Sequence, residues 1–124
     1  MMLAGRRVLV VEDEPIIALV LEDKLLDRSA QPVLAHCLNS ATEAVESQKF
    51  DLAVLDVNIH GQQSYTLARQ LLEINTPVIF ITGYGDALHP ADLEQTPTLT
   101  KPYSVQALEA ALLAAFNGVQ RAQP

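Results

Sequence analysis

The sequence has no tryptophan, a single cysteine and only 5% aromatic residues. With so few rings the core has to be aliphatic, which suits a sheet covered on both faces. Cys37 has no partner for an internal disulfide, which points to a reducing compartment, the cytoplasm. It falls in an expected strand and reads as a small buried apolar residue rather than a reactive thiol. No apolar run reaches the ~18 residues of a membrane span, and residues 1–5 lack the apolar stretch of a signal peptide. Basic residues are scarce, 8 Lys and Arg against 15 Asp and Glu, for a net charge of −7. Only Arg6 and Arg7 adjoin, so neither a nucleic-acid surface nor a basic face for anionic lipid is expected.

What is present is apolar and regularly interrupted. Hydrophobic residues are 49% of 124, enough for the core of a single domain over residues 1–124. Val8–Val11 is a β-branched run that stops at Glu12-Asp13 and reads as a buried strand. Pro15 suits the first turn of a helix reaching about Ser29. Val33–Leu38 reads as a second strand, and Ser40 with Glu43 as a capping box opening a helix that fades near Lys49. Leu52–Val57 is a third strand, broken at Asn58-Ile59-His60-Gly61. Ser64 to Ile74 is a helix ended by Asn75-Thr76-Pro77, and Val78–Thr82 is a fourth strand.

Residues 83–97 lack periodicity and hold at best one helical turn, over Ala91–Gln95. Thr98–Thr100 is a short fifth strand before Lys101-Pro102. Val105, Leu108, Leu112 and Phe116 trace one face of a last helix that should fray from Gly118. Such alternation predicts an α/β fold, a three-layer sandwich around a five-stranded parallel sheet.

In an open parallel sheet, ligands bind at the carboxyl ends of the strands. There the strands deliver Glu12 and Asp13, Asp56, Thr82 and Lys101. Gathered carboxylates repel one another, and a hard divalent cation with oxygen ligands, Mg²⁺ above all, relieves that. A lysine nearby can hold a phosphate oxygen as a point charge, and a carboxylate can accept a phosphoryl group covalently. The set suits phosphoryl transfer, where positioning and charge stabilisation dominate.

Val8-Leu9-Val10-Val11-Glu12-Asp13-Glu14-Pro15, Asp51 to Gly61, Thr82-Gly83 and Lys101-Pro102-Tyr103 together resemble the receiver domains of two-component response regulators. The resemblance implies a flavodoxin-like fold with strand order 2-1-3-4-5 and a phosphoacceptor rather than an enzyme. By it, Asp56 is the phosphoacceptor, Asp13 a direct Mg²⁺ ligand, and Glu12 a ligand through water. The backbone carbonyl of Asn58 completes the metal set, Thr82 is the switch hydroxyl, Lys101 pairs with the phosphoryl group, and the Lys101–Pro102 bond is cis. The implied partners are a sensor histidine kinase or a histidine phosphotransfer protein, with output through binding to another protein.

The chain departs from the pattern at Thr98, where many receivers carry a switch aromatic. Phe80-Ile81-Thr82-Gly83-Tyr84-Gly85 resembles the FATGUY subclass, often stand-alone, in which a loop replaces a regular fourth helix, although Ile81 stands for Ala and the Tyr and Gly are in swapped order. Tyr84 would flank the path of hydrolytic water and slow dephosphorylation.

Two rival classes remain. A phosphohydrolase of the haloacid dehalogenase type would use a similar set, but its second Asp, two residues after the nucleophile, is Asn58 here. A pure interaction module would have no use for an intact acidic pair with Asp56, Thr82 and Lys101. His36, His60 and His89 have no ligand spacing, and His60 reads as merely exposed. The first helix, with Ile16, Ile17, Leu19, Val20, Leu21, Leu25 and Leu26, is too apolar for one face: either a thick core contact or a docking patch, which the resemblance assigns to a kinase.

Overall fold

The computed structural model describes residues 3–83 and 89–122, with side chains as far as residue 115 in the last helix. Its elements are β1 (Arg7–Val11), α1 (Pro15–Asp27), β2 (Gln31–Ala35), α2 (Leu38–Ser47), β3 (Leu52–Asp56), a small hairpin of β4 (Asn58–Ile59) and β5 (Gln62–Gln63), α3 (Tyr65–Glu73), β6 (Val78–Thr82), β7 (Thr98–Thr100) and α4 (Val105–Ala122). The main sheet has the order β2-β1-β3-β6-β7 with every pairing parallel, which is the expected 2-1-3-4-5 topology once the hairpin is set aside.

Alternation along each strand builds the layers. Leu9, Val11, Leu55 and Phe80 face one side with Ala41 of α2 and Leu67, Ala68 and Leu71 of α3. Val8, Val10, Val54, Ile79 and Ile81 face the other with Leu21 and Leu25 of α1 and Leu108 and Leu112 of α4. The central strands β3 and β6 are buried at every position. An all-apolar strand thus ends on a polar residue, Asp56 or Thr82, only where the sheet reaches its open edge.

Helix ends are set by local chemistry. Pro15 occupies the first turn of α1. Ser29 adopts φ 61° and Asn75 φ 63°, and both close Schellman motifs: Ala30 N–H donates to the Leu25 carbonyl at 3.1 Å and Thr76 N–H to the Leu71 carbonyl at 2.9 Å.

Four expectations are corrected. Strand β2 lies at Gln31–Ala35 rather than 33–38, because pairing with β1 starts at Arg7↔Gln31 and an edge strand tolerates Pro32. Helix α2 starts at Leu38, with Cys37 at the N-cap. No capping box forms, since Ser40 lies inside the helix and its hydroxyl donates back to the Cys37 carbonyl at 3.1 Å. Cys37 is therefore neither in a strand nor fully buried, and the Ser40 hydroxyl at 3.2 Å holds its thiol below the ordinary value. Finally, α4 continues past Gly118 to Ala122.

Between Thr82 and Thr98 the described residues hold only a 3-10 turn, Ala91–Leu93. The surplus apolar residues of α1 resolve in favour of a patch: Ile16 (77% exposed), Leu19 (58%), Val20 (46%) and Leu26 (54%) face outward while Ala18, Leu21 and Leu25 fill the core. Among the described residues no helix is long and apolar enough to cross a membrane.

Candidate functional site

The carboxyl ends of β1, β3, β6 and β7 meet at a cleft of about 410 Å³ lined by Asp13, Glu14, Asp56, Asn58, Gly61, Gly83 and Lys101. Lys101 reaches it because β7 pairs with β6 and its N–H donates to the Thr82 carbonyl at 2.8 Å. Its peptide bond to Pro102 is cis. From there the ammonium donates to Asp56 Oδ2 at 3.0 Å and lies 3.3 Å from Glu12 Oε2 and 3.6 Å from Glu14 Oε1.

Asp56 is fixed on its other sides. Its Oδ1 accepts the Asn58 N–H at 3.4 Å, and the buried Ser64 hydroxyl donates to its backbone carbonyl at 2.7 Å. Asp13 accepts the His60 N–H at 2.9 Å. That N–H is presented by the hairpin turn, where His60 (φ 51°) and Gly61 (φ 80°) both take positive φ, the mark of a type I′ turn.

One oxygen from each of Glu12, Asp13 and Asp56 lies within 4.8 Å of the others. Glu12 is 1% exposed, and among the described residues its buried Oε2 has no partner in hydrogen-bond geometry, although the Lys101 ammonium lies 3.3 Å away as an ion pair. Three carboxylate oxygens this close, one of them lacking a hydrogen bond, fit a hard divalent cation. Without a cation, burial and then the Asp56 charge push Glu12 up to about 7. Partial burial also pushes Asp13 up, but the His60 N–H and its other hydrogen bonds outweigh it and leave it below the usual carboxylate value. Burial pulls Lys101 down, and the bond and charge of Asp56, helped by Glu12, outweigh it and hold the ammonium above its ordinary value.

The sequence-predicted Glu12, Asp13, Asp56, Asn58 and Lys101 are thus brought together. Thr82 is buried at the end of β6, one residue back from the cleft wall at Gly83. Tyr84 lies outside the described residues.

Sequence reasoning missed Glu14, Ser64 and the His60–Gly61 turn. The two-residue spacing before Gly61 was a hairpin signal of the Asn-Gly kind, with His in the first position. His60 is not merely exposed, for its ring Nε2 lies 3.0 Å from the His36 carbonyl. It also missed what stands beside Thr98. The His89 ring packs on Phe80 at 4.7 Å between centroids, with Nδ1 3.0 Å from the Tyr65 hydroxyl and Nε2 2.7 Å from Thr98 Oγ1.

A family model described as the response regulator receiver domain matches residues 8–113. The chain is 31% identical over 116 residues to the transcriptional regulatory protein TcrA of Mycobacterium tuberculosis, covering 90% of this chain and 46% of the relative. It spans about half the length of the curated relatives it matches. Among solved structures, SdrG from Sphingomonas melonis Fr1 is similar at 34% identity and a TM-score of 0.80, covering 90% of this chain and 96% of that one. The receiver domain of the PhyR response regulator from Erythrobacter litoralis is similar at 27% identity and a TM-score of 0.82, covering 94% of each.

Proposed function

The chain belongs to the response regulator receiver domain family, and on that premise we propose that it is a phosphoacceptor of two-component signalling that takes a phosphoryl group on Asp56 in a Mg²⁺-dependent transfer. The observation that carries this reading is the convergence of Lys101 on Asp56 and Glu12, at 3.0 and 3.3 Å, within a cluster of three carboxylates that also includes Asp13.

An Asp56 carboxylate oxygen forms the new bond to phosphorus while the donor's P–N or P–O bond breaks. Lys101 passes from the carboxylate to a phosphoryl oxygen, which it meets as a point charge. Thr82, at the end of the adjacent strand, supplies a hydroxyl to another. Glu12, Asp13, Asp56 and the backbone at Asn58 would hold Mg²⁺, which supplies charge neutralisation at the phosphoryl oxygens. The protein acts as a switch rather than an enzyme. Asn58 supports this, because a carboxyl acid/base two residues after the acceptor is missing.

The donor is a sensor histidine kinase or a histidine phosphotransfer protein, and the outward apolar face of α1 beside the cleft suits its docking. Several relatives are named as transcriptional regulators, and the net charge of −7 speaks for this chain alone, not for a DNA-binding segment in a longer protein. Intact mass after incubation with acetyl phosphate tests the chemistry. One adduct that needs Mg²⁺, is labile to base and is missing in Asp56→Asn is the expected result; an adduct that persists in the variant would refute it.

A further inference from the structure

Two histidines outside the acidic set are joined to it by a chain of hydrogen bonds. A carbonyl oxygen only accepts, so the ring nitrogens facing one must donate. His36 Nδ1–H therefore donates to the Glu12 carbonyl at 3.2 Å, and His60 Nε2–H to the His36 carbonyl at 3.0 Å. The His60 backbone N–H donates to Asp13 Oδ2 at 2.9 Å, and the Glu12–Asp13 peptide closes the circuit. The last backbone bond of this part of the sheet runs from Glu12 N–H to the Ala35 carbonyl at 3.1 Å. Past that point the two imidazoles take over from the strands, joining the ends of β1 and β2 to the hairpin turn.

We propose that His36 and His60 form a strap of positioning residues that sets the Asp13 carboxylate for a divalent cation. This rests on the metal reading given above. The turn carries the N–H that fixes Asp13, and it is a two-residue loop between strands of two residues each. So short a hairpin has little rigidity of its own. The ring of His60 anchors it to His36, the residue that follows β2, and the ring of His36 anchors that point to Glu12. Outer partners of this kind orient a ligand and change metal affinity without touching the ion. Both rings lie towards solvent, with the His60 side chain 62% exposed, so their removal leaves the core intact.

The test is a Mg²⁺ titration of the whole unphosphorylated chain, followed by amide NMR shifts, with melting temperatures in EDTA as a control on the fold. His60→Asn keeps a residue that tolerates positive φ but is too short to reach the His36 carbonyl. It should raise the Mg²⁺ Kd about 3- to 10-fold, and His36→Leu should do the same. His36→Asn places an amide N–H where Nδ1 lies and should restore the affinity to within about twofold of wild type. The double variant His36→Leu, His60→Asn should be no worse than either alone, since the two act in one chain. Wild-type affinity in His60→Asn or His36→Leu, or no rescue by His36→Asn, overturns the strap and leaves the metal reading standing. A wild-type chain that does not respond to Mg²⁺ overturns both.

Discussion

The two halves of the carboxyl edge are built differently. On the β1–β3 side the strands are five residues long and the carboxylates are held by backbone N–H groups: Asp13 by the hairpin turn, Asp56 by Asn58, and Glu12 Oε1 by Glu14 at 3.1 Å. On the far side, β7 has three residues, two of them exposed, and reaches the site through one lysine. The described part of the β6–β7 connection is tied to α3 by side chains, His89 at Tyr65 and Asp92 at Arg69, and His89 also reaches Thr98. Backbone-held groups keep their place when charge arrives, whereas a side chain on a short edge strand can follow it. Under the proposed function, the acid half would receive the phosphoryl group and the basic half would respond to it.

That contrast can be broken most directly at the acceptor. Asp56→Asn should abolish the Mg²⁺-dependent mass adduct while keeping the fold. Lys101→Met should destabilise the metal-free protein by about 1–3 kcal/mol, because Glu12 and Asp56 then face each other without a cation. Mg²⁺ should recover much of that loss, which paired melts in EDTA and Mg²⁺ will read. Ser64→Ala should cost about 1–2 kcal/mol by stripping the buried Asp56 carbonyl of its donor, to the same extent with and without Mg²⁺.

The smallest effects are in pH dependence, and the halves should have opposite slopes. Burial, then the Asp56 charge, raises Glu12 from 4.5 to about 7, so the metal-free fold binds more protons there than the unfolded chain. Its contribution is complete below the unfolded value and is lost as pH rises through about 7. Glu12→Gln should flatten that part of the melting profile in EDTA. Burial lowers His89 from 6.5, so the unfolded chain takes up protons first and stability falls as pH drops below that value. His89→Gln should remove this acid-side loss.

Much of this was legible because chemistry and periodicity agreed. Buried apolar runs ending in Asp56 or Thr82 announce both a strand and a site. Where they conflicted, the reading slipped. Strand β2 begins two residues before the apolar run, at Gln31-Pro32, which an edge position permits, and Ser40 with Glu43 imitated a cap that lies inside α2. The role of His89 was hidden because its partners, Tyr65 and Thr98, are 24 and 9 residues away, beyond the reach of any local pattern. The surplus apolar residues of α1 were visible, but which of them face outward depends on how the helix is rotated against β1 and β2.

Both open margins of the sheet are blunt. Strand β7 offers a newcomer three residues, and β2 presents Pro32, which has no N–H to give. Lengthening the main sheet by strand addition, the common route to aggregation in β-rich chains, is thus disfavoured on either flank.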